Sequence, residues 1–329
     1  MSDQNTHPYE HLSPDVIMNA LESIGLEPDG GFLALNSYEN RVYQVGIEES
    51  APLIVKFYRP QRWTDDAIRE EHRFSLALAA EEIPVVPPIA DEQGETLHTH
   101  QGFRFSVYTR SGGRWPELEN PDNLEWIGRF IGRIHLLGAS RTFEHRPNLD
   151  LQSFGQEPVD YLLNNDLLPV EIANPYRRVA GQLLDAIRDV FDRTDYRPIR
   201  LHGDCHPGNI LWTDQGPHFV DMDDCRNGPA IQDLWMLLSG ERNEMALQLS
   251  YLREGYDTFA ELNCREYALI EPLRSLRMIH YAAWLARRWD DPAFPRAFPW
   301  FNTPQYWLDH VNQLELQLQA VTAPSLPAY

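Results

Sequence analysis

The chain has 329 residues, 49 of them acidic and 28 basic, for a formal net charge of −21; with no basic patch in the sequence, that charge argues against nucleic acid and anionic membrane as partners. An apolar fraction of 43% is ample for a packed core and excludes an intrinsically disordered chain. No window approaches the eighteen or so apolar residues of a membrane span.

Three cysteines are too few and too unevenly spaced for a disulfide framework or a structural zinc site. The start, Met1-Ser2-Asp3-Gln4-Asn5, lacks the regions of a signal peptide, so a cytoplasmic protein is expected. Lys56 is the single lysine beside 27 arginines. An ammonium is a compact point charge that a guanidinium does not imitate. Lys56 is therefore either a survivor of compositional drift or part of a site whose chemistry rejects arginine.

In chain order, Ser13-Pro14 caps a short helix over residues 15–24. Residues 32–35, 42–47 and 53–58 read as three antiparallel strands rich in β-branched and aromatic side chains. Thr64-Asp65-Asp66 caps a helix to about residue 82, which Pro84, Pro87 and Pro88 end. Two strands follow, over 96–100 and 103–108, and Ser111-Gly112-Gly113 breaks the pattern as a candidate hinge. Beyond it, helical periodicity marks 124–137, 176–191, 231–238, 267–289 and 306–320, with a β-like island over 197–224. The proline-dotted end, 323–329, reads as loosely ordered.

The strongest chemical signal is Leu201-His202-Gly203-Asp204-Cys205-His206-Pro207-Gly208-Asn209-Ile210-Leu211. Asp204 and Asn209 stand five apart in a Gly/Pro loop between apolar strands, and Phe219-Val220-Asp221-Met222-Asp223-Asp224 follows. The intervening Asp-Gln-Gly-Pro reads as a hairpin turn that returns Asp221 beside Asn209. An amide oxygen and a carboxylate, with room for water and phosphate, describe a magnesium site. Asp204 can accept a proton from an incoming hydroxyl. This is the layout of a phosphoryl-transfer catalytic loop, Asp-x-x-x-x-Asn followed by a metal-binding Asp. Asp and Asn also cap turns, which accounts for any one of these residues but not for three acceptors at this spacing. His202, Cys205 and His206 fit no usual zinc spacing, and His202 reads as a buried scaffold of the loop.

Leu-His-Gly-Asp-x-His-x-x-Asn-Ile-Leu with the later Val-Asp-x-Asp-Asp resembles the aminoglycoside-phosphotransferase and choline-kinase branch of the protein-kinase-like fold. Within that branch, residues 36–44, 55–60, 226–235 and 289–295 are similar to bacterial stress-response kinases, so the resemblance spans essentially the whole chain. It implies an α+β, two-lobed protein-kinase-like fold. A small antiparallel-sheet N-lobe with one main helix would take residues 1–110, a larger and mostly helical C-lobe residues 111–329, with the hinge near 107–113. It also implies an ATP- and Mg²⁺-dependent Ser/Thr protein kinase in the cytoplasm, linked to stress survival, with ATP and a protein hydroxyl as partners. A monomer is expected.

The resemblance carries roles to individual residues. Asp204 would be the catalytic base, with Asp221 beside it in the catalytic set; Asn209 and Asp221 would hold Mg²⁺, and Asp223 would add a metal contact or point to solvent. Lys56 would steady the α- and β-phosphates, paired with a carboxylate of the next helix, Glu71 in preference to Glu70. Asp233 would brace the catalytic-loop backbone. Ser37 would offer donors to a phosphate, and the adenine would lie against the backbone around Val107 and Thr109, with Val55 and Leu211 as apolar lids.

Some features depart from the protein-kinase pattern. The turn Asn36-Ser37-Tyr38-Glu39-Asn40 has no glycines, the metal motif is Asp221-Met222-Asp223 rather than Asp-Phe-Gly, and residues 224–232 leave no room for an activation loop. The usual peptide platform is missing too. An alternative is therefore a small-molecule kinase acting on an amino alcohol or aminoglycoside-like metabolite, for which an acidic chain is suited. A nucleotide-binding pseudokinase scaffold is disfavoured, since every catalytic position is filled. Tyr281, Trp284, Trp289, Tyr306 and Trp307 read as core at helical spacing.

Overall fold

The structure is a computed structural model that describes residues 8–165 and 167–327. The start at Met1–Asn5 and the last two residues of the proline-dotted end lie outside the described residues. In chain order come α1 (Pro14–Glu22), β1 (Pro28–Ala34), β2 (Arg41–Ile47), β3 (Leu53–Phe57), α2 (Asp65–Ala80), β4 (His98–His100) and β5 (Phe103–Thr109). Next are α3 (Pro121–Gly138), α4 (Glu157–Asn164), α5 (Val170–Arg193), β6 (Ile199–Leu201), β7 (Ile210–Thr213), β8 (Gly216–Phe219) and β9 (Arg226–Gly228). Helices α6 (Gln232–Trp235), α7 (Arg242–Tyr256), α8 (Ile270–Arg287), α9 (Ala293–Ala297) and α10 (Pro304–Thr322) follow. The fold is α+β, and among the described residues no helix is long and apolar enough to cross a membrane.

The described residues fall into two compact units: those up to Trp115 together with Gly208–Asp223, and those of Pro116–Pro207 together with those from Asp224 on. The segment that carries Asn209 and Asp221 thus groups with the N-terminal residues, whereas a single boundary at 110/111 assigned it to the C-terminal lobe.

The first unit is built on a five-stranded antiparallel sheet in the order β1-β2-β3-β5-β4. β3 is central, and its side chains alternate between faces as strand geometry requires. Val55 and Phe57 join Val45, Phe105 and Val107 in an apolar core under Ile17, Ala20 and Leu21 of α1. Lys56 points to the other face, with Tyr58, and α2 supplies Glu71 and His72 there. α2 begins where Thr64 Oγ1 accepts the Ala67 N–H at 3.2 Å, with Asp65 and Asp66 in its first turn. β7 and β8 form a separate hairpin, tied into this unit by Phe219 N–H to the Pro84 carbonyl (2.7 Å) and by a reciprocal Arg114–Trp212 backbone pair (3.0 and 2.7 Å).

The second unit is helical apart from the β6–β9 pair. α3 and α7 cross closely because Gly128 of α3 and Gly255 of α7 carry no Cβ; a methyl on either would overlap the Leu252 or Glu125 carbonyl of the other helix. α7 is not among the helices expected from the sequence, although Met245, Leu249, Leu252 and Tyr256 form a buried stripe along it. The helix expected over 231–238 is only the four-residue α6, and that expected over 267–289 is a 3₁₀ stretch, Cys264–Leu269, leading into α8.

Glu266 in that 3₁₀ stretch is buried, and its Oε2 accepts the Ile231 N–H at 3.0 Å. Burial pushes its carboxyl up to about 7, against the opposing effect of the Ile231 and Ala230 N–H groups. A raised pKa contributes stability that is present below the ordinary glutamate value and lost as pH rises through about 7. Glu266→Gln keeps the acceptor and removes the titration. Its stability relative to the native chain should therefore climb between pH 5 and pH 8, by up to about 3 kcal/mol. Urea unfolding at the two pH values reads the difference, and a difference independent of pH would contradict the assignment.

Candidate active site

Within the first unit the β7–β8 hairpin does what its turn chemistry requires. Thr213 Oγ1 accepts the Gln215 N–H at 3.1 Å, and Gly216 takes a left-handed φ of 101°. The chain returns so that the Val220 N–H donates to the Asn209 carbonyl at 3.0 Å, which brings Asn209 and Asp221 to the same end of the hairpin. Asp221 itself holds φ at 59°, an unusual conformation for a residue with a Cβ. Its side chain is 56% exposed, and its Oδ1 accepts from Lys56 Nζ at 3.2 Å.

Lys56 is buried, and its ammonium also meets Asp223 Oδ1 at 3.0 Å. Burial alone would push its pKa down, but Asp223, Asp221 and Glu71, in that order, hold it well above the usual lysine value. The ammonium therefore stays charged at any working pH. Glu71, buried on α2, contributes behind the two aspartates, whereas the sequence pointed to it as the first partner; Glu70 is half-buried. The ammonium lies 5.2 Å over the Tyr58 ring, whose hydroxyl pairs with His72 Nε2 (2.8 Å) and the Tyr108 hydroxyl (3.0 Å). His72 Nδ1 closes the network on Thr96 at 2.7 Å, so β3, α2 and β5 are held together beneath the lysine.

The structure bears on three of the sequence expectations. Asp223, expected as a metal contact or a solvent-facing acid, is buried and so does not face solvent; Lys56 forms an ion pair with its Oδ1, while Asn40 Nδ2 donates to Oδ2 at 3.1 Å and the Arg62 guanidinium also meets Oδ2. Its charge is met by protein cations. Val55, expected as an apolar lid, lies opposite Val107 in register and its side chain belongs to the α1 core, because odd-numbered β3 residues face away from Lys56; the expectation for Val107 concerned its backbone. The Val107 carbonyl accepts the Ile89 N–H at 2.7 Å. Ser37 Oγ donates to the Asn40 carbonyl at 3.2 Å, so that hydroxyl braces its own turn. Thr109 is exposed at the end of β5, and Leu211 is half-buried on β7.

Asn40 and Arg62 are site residues that sequence reasoning missed. Asn40 clamps three segments, since its Oδ1 also accepts the Arg59 N–H at 3.1 Å. Its place in the glycine-free turn was the one available signal.

Within the second unit Asp204 sits in the loop after β6. Arg277 Nη1 of α8 donates to its Oδ1, and His206 Nε2 approaches Oδ2 at 3.6 Å. The loop backbone is held by Asp233, which is fully buried and accepts the His202 and Gly203 N–H groups, each at 2.8 Å, while His135 Nε2 lies 3.0 Å from Oδ2. Gly203 needs its φ of 86°, and a Cβ there would overlap the Asp224 carbonyl. His202 is buried, as a scaffold residue should be. Tyr281, read as core, is exposed on α8; Trp307 is fully buried.

The donor set suits a hard divalent ion. Asparagine and aspartate would bind such an ion through oxygen, and among the described residues no group of three or more His, Cys, Asp or Glu side chains forms a metal cage. A site of two protein ligands completed by water and phosphate is the form magnesium takes.

Residues 32–268 match the phosphotransferase enzyme family, APH. Stress response kinase A of Escherichia coli strain K12 is 46% identical over 318 residues, covering 97% of this chain and 96% of that protein. A serine/threonine protein kinase RdoA of Salmonella typhimurium strain LT2 is 45% identical over 324 residues, 98% of each. Among solved structures, an amicoumacin kinase in complex with AMP-PNP, Ca²⁺ and Ami superposes with a TM-score of 0.72 at 19% identity over 96% of both chains. A microcompartment-associated aminopropanol kinase does so with a TM-score of 0.70 at 16% identity, over 94% of this chain and 96% of that one. These two likenesses are of fold.

Proposed function

The chain belongs to the APH phosphotransferase enzyme family, and we propose that within it the protein is an ATP- and Mg²⁺-dependent Ser/Thr protein kinase of the bacterial stress response, acting in the cytoplasm. One observation carries the reading: the only lysine of the chain is buried with its charge held between Asp221 and Asp223. Such an ammonium is placed for phosphate and is too well compensated to be an accident of burial.

Asn209 and Asp221 are the residues assigned to the metal, and Asp223 to Lys56, Arg62 and Asn40. When bound, the divalent ion supplies charge neutralisation on the β- and γ-phosphates. Lys56 leans to the phosphates from its aspartate pair. Asp204, fixed through Asp233, takes the hydroxyl proton as the acceptor oxygen bonds to the γ-phosphorus, the bond to the β–γ bridging oxygen breaks and ADP leaves. Catalysis is then mostly positioning and electrostatics.

The solved neighbours named as amicoumacin and aminopropanol kinases favour a second reading, a small-molecule acceptor served by the same residues. Labelled ATP offered with generic protein acceptors and with a metabolite panel separates the two. Efficient turnover of a metabolite without protein labelling would reject the protein-kinase reading.

Lys56→Arg tests the nucleotide half. The guanidinium keeps the charge but is larger and planar, and the slot between Asp221 and Asp223 is built for a point charge. Turnover should drop tenfold or more, at least about 1.4 kcal/mol in transition-state stabilisation. A variant as active as the native chain would return the lysine to compositional drift.

A further inference from the structure

We propose that Arg277 sets the charge preference of the acceptor: it selects a hydroxyl with an acidic group close by, in a polypeptide a Ser or Thr flanked by Asp or Glu, over a hydroxyl flanked by an amine. The inference rests on Asp204 as the base. Arg277 donates through Nη1 to Asp204 Oδ1, yet its side chain is 41% exposed, so the guanidinium stands at the surface of the second unit beside the base. A guanidinium has five N–H donors in a planar fork, and one nitrogen of it serves Asp204. The remaining edge is suited to a carboxylate, which arginine binds in bidentate fashion.

The sign of the charge matters twice. Arg277 offsets the Asp204 carboxylate, which would otherwise repel an acidic acceptor, and it places a fixed cation where an amine would have to sit.

The same helix face extends the feature. Tyr281 and Trp284, four and seven residues after Arg277, stack with centroids 5.5 Å apart at 20°, and the Arg288 guanidinium lies 5.6 Å over the Trp284 ring. From Arg277 to Trp284 the face is about 10 Å of helix, the length of roughly three residues of extended chain. It begins at the base with a cation and continues with stacked rings, a surface along which an acidic segment could lie.

The test measures kcat and KM for serine peptides that differ only in carrying Asp and Glu or Lys and Arg beside the serine, together with a hydroxy acid and an amino alcohol of matched size. The native chain should prefer the acidic member of each pair at least tenfold in kcat/KM, mainly through KM, and the preference should weaken with added salt. Arg277→Gln should abolish the preference and Arg277→Glu invert it, with melting temperatures confirming that both variants fold. If peptides are not phosphorylated but the hydroxy acid is preferred in the same Arg277-dependent way, the protein-kinase reading fails and this inference stands. Equal use of acidic and basic acceptors by the native chain, or a preference that Arg277→Glu leaves in place, overturns it.

Discussion

Asp204→Asn should lower turnover by about 10²- to 10⁴-fold, the usual contribution of a positioned general base, while Mg·ATP affinity changes little. Asparagine has the same shape and keeps an oxygen for the Arg277 guanidinium, so the loop can hold its place. It cannot take the acceptor proton. The side chains assigned to the nucleotide and metal, Lys56, Asn209 and Asp221, belong to the other compact unit and are untouched by the change. Single-turnover transfer from labelled ATP, paired with calorimetric titration of Mg·ATP, separates the two quantities. A native rate in the variant would remove Asp204 from the chemistry, and a joint loss of rate and nucleotide affinity would mean that it acts on the structure instead.

Asp233→Ala should destabilise the protein by about 3–5 kcal/mol, the range found when one member of a buried charged pair is removed. The carboxylate is fully buried and accepts two backbone N–H groups at 2.8 Å, with His135 at 3.0 Å. Alanine leaves all three donors without an acceptor where water cannot replace it. Burial alone would raise the Asp233 pKa, but the hydrogen bond and charge of His135, the charge of His202 and the Gly203 N–H together bring it below the ordinary 3.8. A lowered carboxylate pKa contributes stability that is present above the ordinary value and lost as pH falls through the folded one. The penalty of the substitution should accordingly be largest near neutrality and shrink below pH 4. Urea unfolding from pH 7 downward checks both size and direction, and a small, pH-independent effect would contradict the brace. Turnover should fall with stability, since the same two N–H bonds fix the backbone that leads into Asp204.

The local parts of this molecule could be read from the chain. Helix α2 follows from a threonine cap with two aspartates behind it, and the β7–β8 hairpin from the turn signal Asp-Gln-Gly-Pro. The alternation of β3 places Val55 and Lys56 on opposite faces, though only the position of α1 shows which face is core. That is why the nucleotide-lid role expected of Val55 does not match where its side chain lies. Spacing alone placed Asn209 and Asp221 together, because twelve residues with a tight turn in the middle can only come back to their start.

Other features depend on segments that the sequence keeps apart. Asn40 and Arg62 reach Asp223 from 183 and 161 residues away, and Arg277 reaches Asp204 from 73. No periodicity or cap marks such pairs, since each is decided by which faces the topology brings together. The α3–α7 crossing is of the same kind: Gly128 and Gly255 look like weak helix positions until the carbonyls of the opposing helix are seen against them. By itself the chain determined the strands of the N-terminal sheet, the helices with clear caps or periodicity, and the return of Asp221 to Asn209, all set by dihedral preference and short-range turn chemistry. Tertiary packing alone decided that Asp223 answers to Lys56, Arg62 and Asn40 and that Asp204 answers to Arg277, because a buried charge takes whichever partners the fold carries within reach.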